Sequence, residues 1–413
     1  MEMKISMLDM IMALSAATDL ISPFVSGHHK RVAYIAYNLS KQMGLPIAEQ
    51  EEIVIAGALH DSGALSLEER LHTLNFEDDY PYLHAEIGYR LFKDFDHLTV
   101  SASLIRHHHD RWDIRGESTP MGSYILHLAD RIDVLIDKNR EVLGQIDGIN
   151  SQIEPQFGHM FMPGLRDAYR ALAAKESFWL DIIFKPLNDI KRRLSLLEPM
   201  PLNIDSLSDL TDIFRHIIDF RSRFTATHSA GVATVAETLS RLFGFTEQQC
   251  HMMKIAGHLH DLGKLAVPEE ILEKPAELNV HEFNIMRSHT FHTYRILESV
   301  KGLEEINEWA SFHHERINGK GYPFHYKGSE LSLGARIMAV ADVFTAITED
   351  RPYRKAMDKN QAIKTLNYMA VDSLDGDAVS TLIFNFDKIN EERRHVQSLA
   401  AEEYDDFQIS SAE

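Results

Sequence analysis

The sequence predicts an all-α protein built from two similar helical domains. Apolar residues recur at intervals of three and four along most of the chain, which is the spacing of one buried helix face. The alternation of apolar and polar residues that marks a half-buried strand is scarce. A set of histidines and aspartates also occurs twice, about 200 residues apart. These three observations together predict a helical bundle that has been duplicated.

The repeated set has the same residue types in the same order in both copies. The first copy is His28, His60, Asp61, His84, His108, His109 and Asp130, and the second is His228, His260, Asp261, His289, His313, His314 and Asp342. The offset is 200 for the first three residues, 205 for the next three and 212 for the last. Offsets that stay constant and then step upward indicate a duplication with two short insertions.

Helical periodicity leads into the repeated residues in both copies. After His28 and His228, apolar residues follow on one predicted buried face, namely Val32, Ile35, Ala36 and Leu39 in the first copy and Val232, Val235, Leu239 and Leu242 in the second. A second helix is predicted to end at each His-Asp pair, with Gly263 as a stop signal in the second copy. Residues 306–314 predict a further helix that ends in two histidines, and residues 335–348 predict a long apolar helix interrupted by Asp342.

The length of 413 residues suits two domains of about 200 residues each. We assign residues 1–200 to the first domain, 201–398 to the second, and 399–413 to an acidic, mobile tail. Residues 1–20 contain acidic positions and lack a clear cleavage signal, so we interpret them as a helix of the fold.

Composition restricts the classes of function. A net charge of −20 argues against a general nucleic-acid-binding protein, which would carry a basic face. There is no apolar run near 18 residues, so we expect no membrane span. The single cysteine, Cys250, cannot form an internal disulfide; it suits a reducing cytoplasm, and we expect it to be buried.

The residue types in the repeat predict metal binding. Asp342 lies among apolar residues, and an unpaired buried carboxylate costs several kcal/mol, so we expect a cation beside it. Histidines and two carboxylates on separate helices could surround two ions, with Asp261 bridging them through its two oxygens. Imidazole and carboxylate ligands without thiolate suit iron, manganese or zinc.

The second copy resembles the HD-GYP domain, a branch of the HD phosphohydrolase superfamily. The matching strings are HSAGVATVAETL, HLHDLGKL, SHTFHTYRIL, HHERINGKGYP and ARIMAVADVFTAITEDRPYR, which fall within residues 206–360. The resemblance implies two tandem HD-type helical bundles and hydrolysis of a cyclic dinucleotide, chiefly cyclic di-GMP, at a metal centre.

The resemblance also implies roles for individual residues. The seven repeated residues of the second copy would be metal ligands, and Asp261 and Lys264 would be catalytic. Phosphate contacts would come from Lys264, Arg351 and Arg354, and the substrate pocket would be shaped by Gly321, Tyr322 and Pro323. Phe224 stands where members with three metals carry a glutamate, which resembles the subtype with two ions, iron or manganese. Asn318 replaces the usual aspartate of the GYP loop.

The first copy keeps the ligand set but lacks the GYP features. Ala64 matches Lys264, Asn139 matches Arg351, and no GYP sequence follows the histidine pair. Three interpretations stay open: a metal-loaded regulatory or dimerising domain, a second phosphohydrolase of altered specificity, or a relic whose histidines are hydrogen-bonded.

The leading hypothesis is a metal-dependent cyclic-dinucleotide phosphodiesterase that releases a linear dinucleotide and, after a second cut, mononucleotides. Cyclic di-GMP and 3′,3′-cyclic GMP-AMP both remain open as its substrate. The alternatives are a receptor that binds the dinucleotide without turnover and a generic HD nucleotide hydrolase. We also leave a homodimer open.

Overall fold

The computed structural model describes residues 5–21, 26–64, 66–73, 75–76, 81–184, 201–220, 225, 227–350 and 354–412. These residues form two compact units. The first unit runs from Met10 to Met200, and the second contains the chain from Pro201 onward together with the described residues up to Asp9. Helices dominate both units, which confirms the predicted all-α class.

The first unit is built around helix α2 (His28–Gln42), which packs against two other long helices, α3 (Ile47–Leu59) and α8 (Met121–Leu135). Its helices are α1 (Met7–Thr18), of which the residues up to Asp9 belong to the second unit, α2 (His28–Gln42), α3 (Ile47–Leu59), α4 (Leu67–His72), α5 (Pro81–Phe92), α6 (Thr99–Arg106), α7 (Trp112–Arg115), α8 (Met121–Leu135), α9 (Ile146–Ile153), α10 (Arg166–Ala173) and α11 (Glu176–Phe184). The predicted apolar face of α2 is fully buried where it packs against α3 and α8.

The second unit repeats this plan with additional helices at its end. They are α12 (Ile204–Asp219), α13 (His228–Leu242), α14 (Glu247–Leu259), α15 (Glu269–Leu272), α16 (Val280–Met286), α17 (His289–Leu297), α18 (Glu304–Ser311), α19 (Leu333–Thr348), α20 (Lys359–Met369), α21 (Gly376–Phe384) and α22 (Phe386–Ala412). Helix α13 packs against α14, α19 and α22. Helix α14 begins with a capping box between Thr246 and Gln249, which satisfies the first free amides.

Two details of the predicted helix faces in the second unit need correction. Val232, Val235 and Leu239 are buried as predicted, but Leu242 is 45% exposed because it is the last residue of α13, where the chain turns away at Gly244. Gly263 does not mark the end of α14. The helix ends at Leu259, and Gly263 lies within a short 3-10 helix that follows.

The ends of the described chain both belong to the second unit. Ile5–Ser6 (β1) pairs antiparallel with Pro201–Leu202 (β2), with Ile5 opposite Leu202. At the other end, helix α22 continues through the segment predicted to be a tail as far as Ala412, and the rings of Tyr404 and Phe407 contact Phe220. The mobility of this segment stays a prediction. Among the described helices, none has the length and apolar character that crossing a membrane requires.

Candidate metal centres

The seven repeated residues of the second unit converge from five helices. His228 and His289 are the first residues of α13 and α17, whereas His260 and Asp261 directly follow α14. His313 and His314 follow the end of α18, and Asp342 lies in the middle of α19. All of them except His314 are buried. Helix ends therefore bring the ligand types together, as the sequence predicts.

Asp261 lies between two groups of histidines. Its Oδ2 is 3.1 Å from Nε2 of His260, and its Oδ1 is 3.4 Å from Nε2 of His289. The possible ligand atoms of His228, His260 and Asp261 form one group, and those of His289, His313 and His314 form another, each within 4.8 Å. A carboxylate with one oxygen toward each group has the geometry of a bridging ligand.

Asp342 also reaches both groups. Its Oδ1 lies 3.3 Å from Nε2 of His228, and its Oδ2 lies 3.7 Å from Nδ1 of His314. Histidines hold the pKa of this buried carboxyl well below its usual value, although burial alone would raise it. The carboxylate is therefore ionised and available to a cation.

Backbone carbonyls orient three of the imidazoles. The Nδ1–H groups of His260, His289 and His313 donate to the carbonyls of Gly257, Met286 and Ala310, at 2.7, 2.7 and 2.6 Å. Each acceptor lies three residues before its histidine. A proton on Nδ1 leaves the Nε2 lone pair directed at the centre, which is the tautomer that binds a metal.

The donor atoms present fit a divalent cation. Burial lowers the pKa of His289 to about 4 and that of His313 to about 3, so both rings are neutral near pH 7. Their Nε2 atoms face each other at 3.2 Å although neither carries a proton. Nε2 of His260 and Oδ1 of Asp261 are buried and have no hydrogen-bond partner among the described residues. Divalent cations within the two groups would satisfy these acceptors.

A cavity of about 450 Å³ opens onto this centre. Its lining includes Asp261, His289, His314, Lys264, Tyr322 and Arg354, together with apolar side chains that include Phe283 and Leu278. Lys264 Nζ lies 2.6 Å from Asp261 Oδ2, and Arg354 donates to the carbonyl of Ala346. Arg351 and Phe224 lie outside the described residues.

Tyr322 of the GYP loop lines this cavity. The ring of Tyr322 contacts that of His314, with centroids 4.9 Å apart, and half-buried Pro323 follows through a cis peptide bond. Gly321 lies so close to the chain at Glu315 and Arg316 that an added Cβ would be 2.4 Å from their backbone atoms. Asn318 Oδ1 accepts from the amide of Lys320, so the loop keeps a side-chain contact at this position.

Glu315 anchors the same loop, and sequence reasoning missed this role. Its side chain is buried, and Oε1 accepts from the amides of Phe324 and His325 at 2.7 and 3.1 Å. The sequence signal was available, because Glu315 directly follows the histidine pair. A buried acid in that position needs donors, and the loop amides provide them.

The first unit brings its seven residues together in a similar way. Asp61 Oδ1 lies 3.4 Å from Nε2 of both His60 and His84. Possible ligand atoms again form two groups, Asp61 with His84, His108 and His109, and His28 with His60 and Asp130. Oδ2 of Asp61 and Oδ1 of Asp130 are buried without a hydrogen bond among the described residues. These unpartnered oxygens beside clustered imidazoles also fit a cation.

The surroundings of the first centre differ from those of the second. Arg131 Nε donates to Asp130 Oδ2 at 3.0 Å, and its Nη2 donates to the carbonyl of Thr73. The matching residue in the second unit is Val343. His109 packs against the ring of His127 and is 5% exposed, whereas the side chain of His314 is 23% exposed. Ala64 is buried and Asn139 is exposed. Both side chains are uncharged, so neither places a positive charge at the positions that match Lys264 and Arg351 of the second unit.

Comparisons with known proteins agree with this duplication. Residues 25–135 and residues 212–378 each match a family model described as HD domain. A 3′3′-cGAMP-specific phosphodiesterase of Vibrio cholerae is 27% identical over 399 residues, which cover 93% of each chain. A cyclic di-GMP phosphodiesterase of Pseudomonas aeruginosa is 38% identical over 144 residues, 35% of each chain.

A solved structure has the same fold. It is the crystal structure of a cyclic GMP-AMP specific phosphodiesterase of Vibrio cholerae, with 24% identity and a TM-score of 0.66, and the match covers 93% of this chain and 98% of that one. The chain therefore belongs to the HD domain family, with two HD domains in tandem, and the second is of the HD-GYP type.

Proposed function

We propose that the second unit is a metal-dependent phosphodiesterase that hydrolyses a cyclic dinucleotide. The observation that carries this proposal is the convergence of the second ligand set on a cavity that also presents Lys264 and Arg354. The substrate class is supported by the names of the relatives, which act on 3′3′-cGAMP or cyclic di-GMP. Either dinucleotide is a candidate substrate for this chain.

The proposed cofactor is a pair of divalent ions, iron or manganese. One ion would be held by His228, His260 and Asp342, and the other by His289, His313 and His314, with Asp261 shared between them. This division follows the two groups of donor atoms and the 3.3 Å between Asp342 Oδ1 and His228 Nε2. When bound, such ions supply a water of lowered pKa and positive charge beside the phosphate.

The remaining residues bind and orient the substrate. Lys264 and Arg354 present two cationic side chains in a cavity whose metal-facing wall is acidic, and they would bind the non-bridging phosphate oxygens. Tyr322 and Phe283 form an aromatic wall, with ring centroids 6.2 Å apart, that suits a nucleobase. Opening one phosphodiester bond gives a linear dinucleotide, and cutting the second gives mononucleotides. Arg351 is kept as a proposed third phosphate contact.

For the first unit we propose metal binding without cyclic-dinucleotide hydrolysis. The ligand set and its unpartnered oxygens support the metal. Ala64 and Asn139 replace the proposed cationic contacts, and Arg131 binds one oxygen of Asp130. The charge balance therefore favours a regulatory or dimerising role over a second phosphodiesterase site.

The proposed function is tested by turnover of both dinucleotides by protein reconstituted with manganese or iron. Loss of either substrate should require added metal, and the products should be linear dinucleotide or mononucleotides. Metal content is measured on the same samples. Tight dinucleotide binding without any product, by protein that retains its metal, would identify a receptor and reject the enzyme.

A further inference from the structure

His228, the first histidine of the second centre, is contacted on the side that faces away from the centre by a residue outside the repeated set. We propose that Glu349 and Gln397 position His228 for metal binding, so that the last helix, α22, sets the metal affinity of this centre. The inference rests on the proposed function of the second unit and adds two positioning residues to it.

Glu349 directly contacts the face of His228 that points away from the centre. Its Oε1 lies 2.9 Å from His228 Nδ1, while Nε2 of the same ring faces Asp342 at 3.3 Å. Glu349 directly follows the last residue of α19, and its side chain is 9% exposed. A carboxylate cannot donate a hydrogen bond, so its negative charge at this distance favours the tautomer with the proton on Nδ1, which leaves the Nε2 lone pair free for a metal.

Gln397 holds the other oxygen of this carboxylate. Its Nε2 donates to Glu349 Oε2 at 2.9 Å and to the carbonyl of Thr227 at 3.2 Å. Arg393, one turn earlier on α22, donates to Oε1 of Gln397 and to the carbonyl of Thr348. Hydrogen bonds therefore run from α22 through Gln397 to Glu349, whose other oxygen lies 2.9 Å from Nδ1 of His228.

The first unit orients its first histidine with different residues. Nδ1 of His28 lies 2.7 Å from Asp133 Oδ2, and Arg31 Nε donates to Asp133 Oδ1 at 2.6 Å. The offsets of the repeat match Arg31 with Gly231 and Asp133 with Thr345. The second unit therefore has neither member of this pair at the matching positions, and another carboxylate and another donor lie beside its first histidine.

Gly231 shows how the replacement is accommodated. A Cβ at this position would lie 2.6 Å from Nε2 of Gln397, in the space that Gln397 occupies to reach Glu349. Glycine stands where the first unit has the donor Arg31, and the Gln397 side chain of α22 occupies the space that a side chain at position 231 would need. In both units a carboxylate lies beside Nδ1 of the first histidine, but it comes from a different chain segment in each. This recurrence supports a role for the orientation of that imidazole in the centre.

The test uses full-length protein with Glu349→Gln, Gln397→Glu and the two changes combined. An amide at position 349 can turn either its oxygen or its nitrogen toward His228, so the tautomer that blocks metal binding is no longer excluded. Glu349→Gln should raise the metal concentration needed for half-maximal occupancy about 10-fold or more, the range measured when partners of ligating histidines are removed. Gln397→Glu should also weaken binding, because it places a second carboxylate against the first.

The combined variant separates positioning from mere packing. Its new carboxylate at position 397 accepts from the new amide at 349, whose oxygen accepts from His228, so metal affinity should return to within about threefold of the wild type. Glu391→Gln, an exposed site on the same helix, is the control for the change of charge. Occupancy is followed by metal content during dialysis against a chelator series, and turnover is measured separately.

Metal affinity within twofold of the wild type in folded Glu349→Gln protein would overturn the proposal. A combined variant in which the losses of metal affinity of the two single variants multiply would overturn it as well. If the variants show these shifts in metal affinity but the wild-type protein turns over neither dinucleotide, the proposed function is rejected and the positioning role stands.

Discussion

Lys264 Nζ lies 2.6 Å from Oδ2 of Asp261, so the carboxylate between the two histidine groups also binds a lysine that lines the cavity. Together with His260, this lysine holds the pKa of Asp261 well below its usual value, although burial alone would raise it. The matching position in the first unit is the buried Ala64. The two centres share their ligands but differ in the charge placed beside them.

Replacing Lys264 by alanine should leave metal in the second centre and reduce turnover. The lysine is a charge-assisted donor in the cavity, so its loss should cost about 1.5–3 kcal/mol of transition-state stabilisation, roughly 10- to 100-fold in kcat/KM. Steady-state kinetics and metal content are measured together, with Lys301→Ala as a matched change at an exposed lysine. Loss of metal in Lys264→Ala would instead assign the lysine to the structure of the centre.

Replacing Asp261 by alanine should abolish both metal retention in the second unit and turnover. Two cations cannot be held close together without the anion that lies between them, while the surrounding helices keep their packing. Metal analysis, activity and circular dichroism measure the three effects. Asp377→Ala, at an exposed acid, is the control. Near wild-type activity with full metal content would contradict the bridging role.

Removing His60 and Asp61 together, as His60→Ala with Asp61→Ala, should lower the metal content of the protein and the unfolding temperature of the first unit. Metal that binds the folded unit stabilises it by linkage, so the stability lost depends on the concentration of free metal. Calorimetry with and without metal measures the effect. Turnover at the second centre should survive; its complete loss in folded protein with that centre occupied would make the first centre catalytic.

Asp133→Asn should destabilise the first unit, and the effect should depend on pH. Lys138, Arg31 and His28 keep the pKa of this buried carboxyl below its unfolded value despite the opposing effect of burial. Its stabilising contribution is therefore present above a pH of about 3.9 and is lost as the pH falls below that value. The change breaks a buried ion pair and should cost about 3–5 kcal/mol at pH 7. Urea unfolding at pH 7 and pH 3.5 tests this, and an equal difference at both values would contradict the ion-pair explanation.

Gly321→Ala should impair catalysis without removing metal. The new Cβ would meet the backbone of Glu315 and Arg316 at 2.4 Å, so the loop that carries Tyr322 must shift. We expect a fall in kcat/KM of at least about tenfold, because small displacements of positioning groups have large effects on rate. Gly376→Ala is the control, since its Cβ meets no atom within 4 Å. Unchanged kinetics would show that the loop does not shape the pocket.

The sequence predicted which residue types converge, because each ligand recurs at a nearly fixed offset. It did not predict the groups that orient them. Asp133 holds His28, but its counterpart by offset is Thr345, and the equivalent carboxylate of the second unit is Glu349. Comparing the two copies at the offsets of the ligands detects only residues that recur at those offsets. The separation of Asp133 and Glu349 equals none of them.

One pair of buried aspartates near the centres could have been predicted from the offset of the repeat, as the ligands were. Asp19 and Asp219 share the offset of 200, and both are buried beside the first helix of the centre, where Asp19 binds His29 and Asp219 accepts from Ser229. Burial raises the pKa of Asp219 to about 6. By contrast, the bond from Arg131 to Asp130 had no signal in the repeat, because Val343 stands at the matching position.

The pairing of Ile5 with Leu202 makes the second unit discontinuous along the chain. Ribosomal synthesis must deliver almost half of the polypeptide between the two strand partners, so the second unit acquires its earliest-made segment only after the first unit has been produced. Joining two strands across so long an intervening stretch has an entropic cost, and a first unit that folds before the strands meet would lower it. Cutting the gene at the start of β2 would therefore leave that strand without its partner.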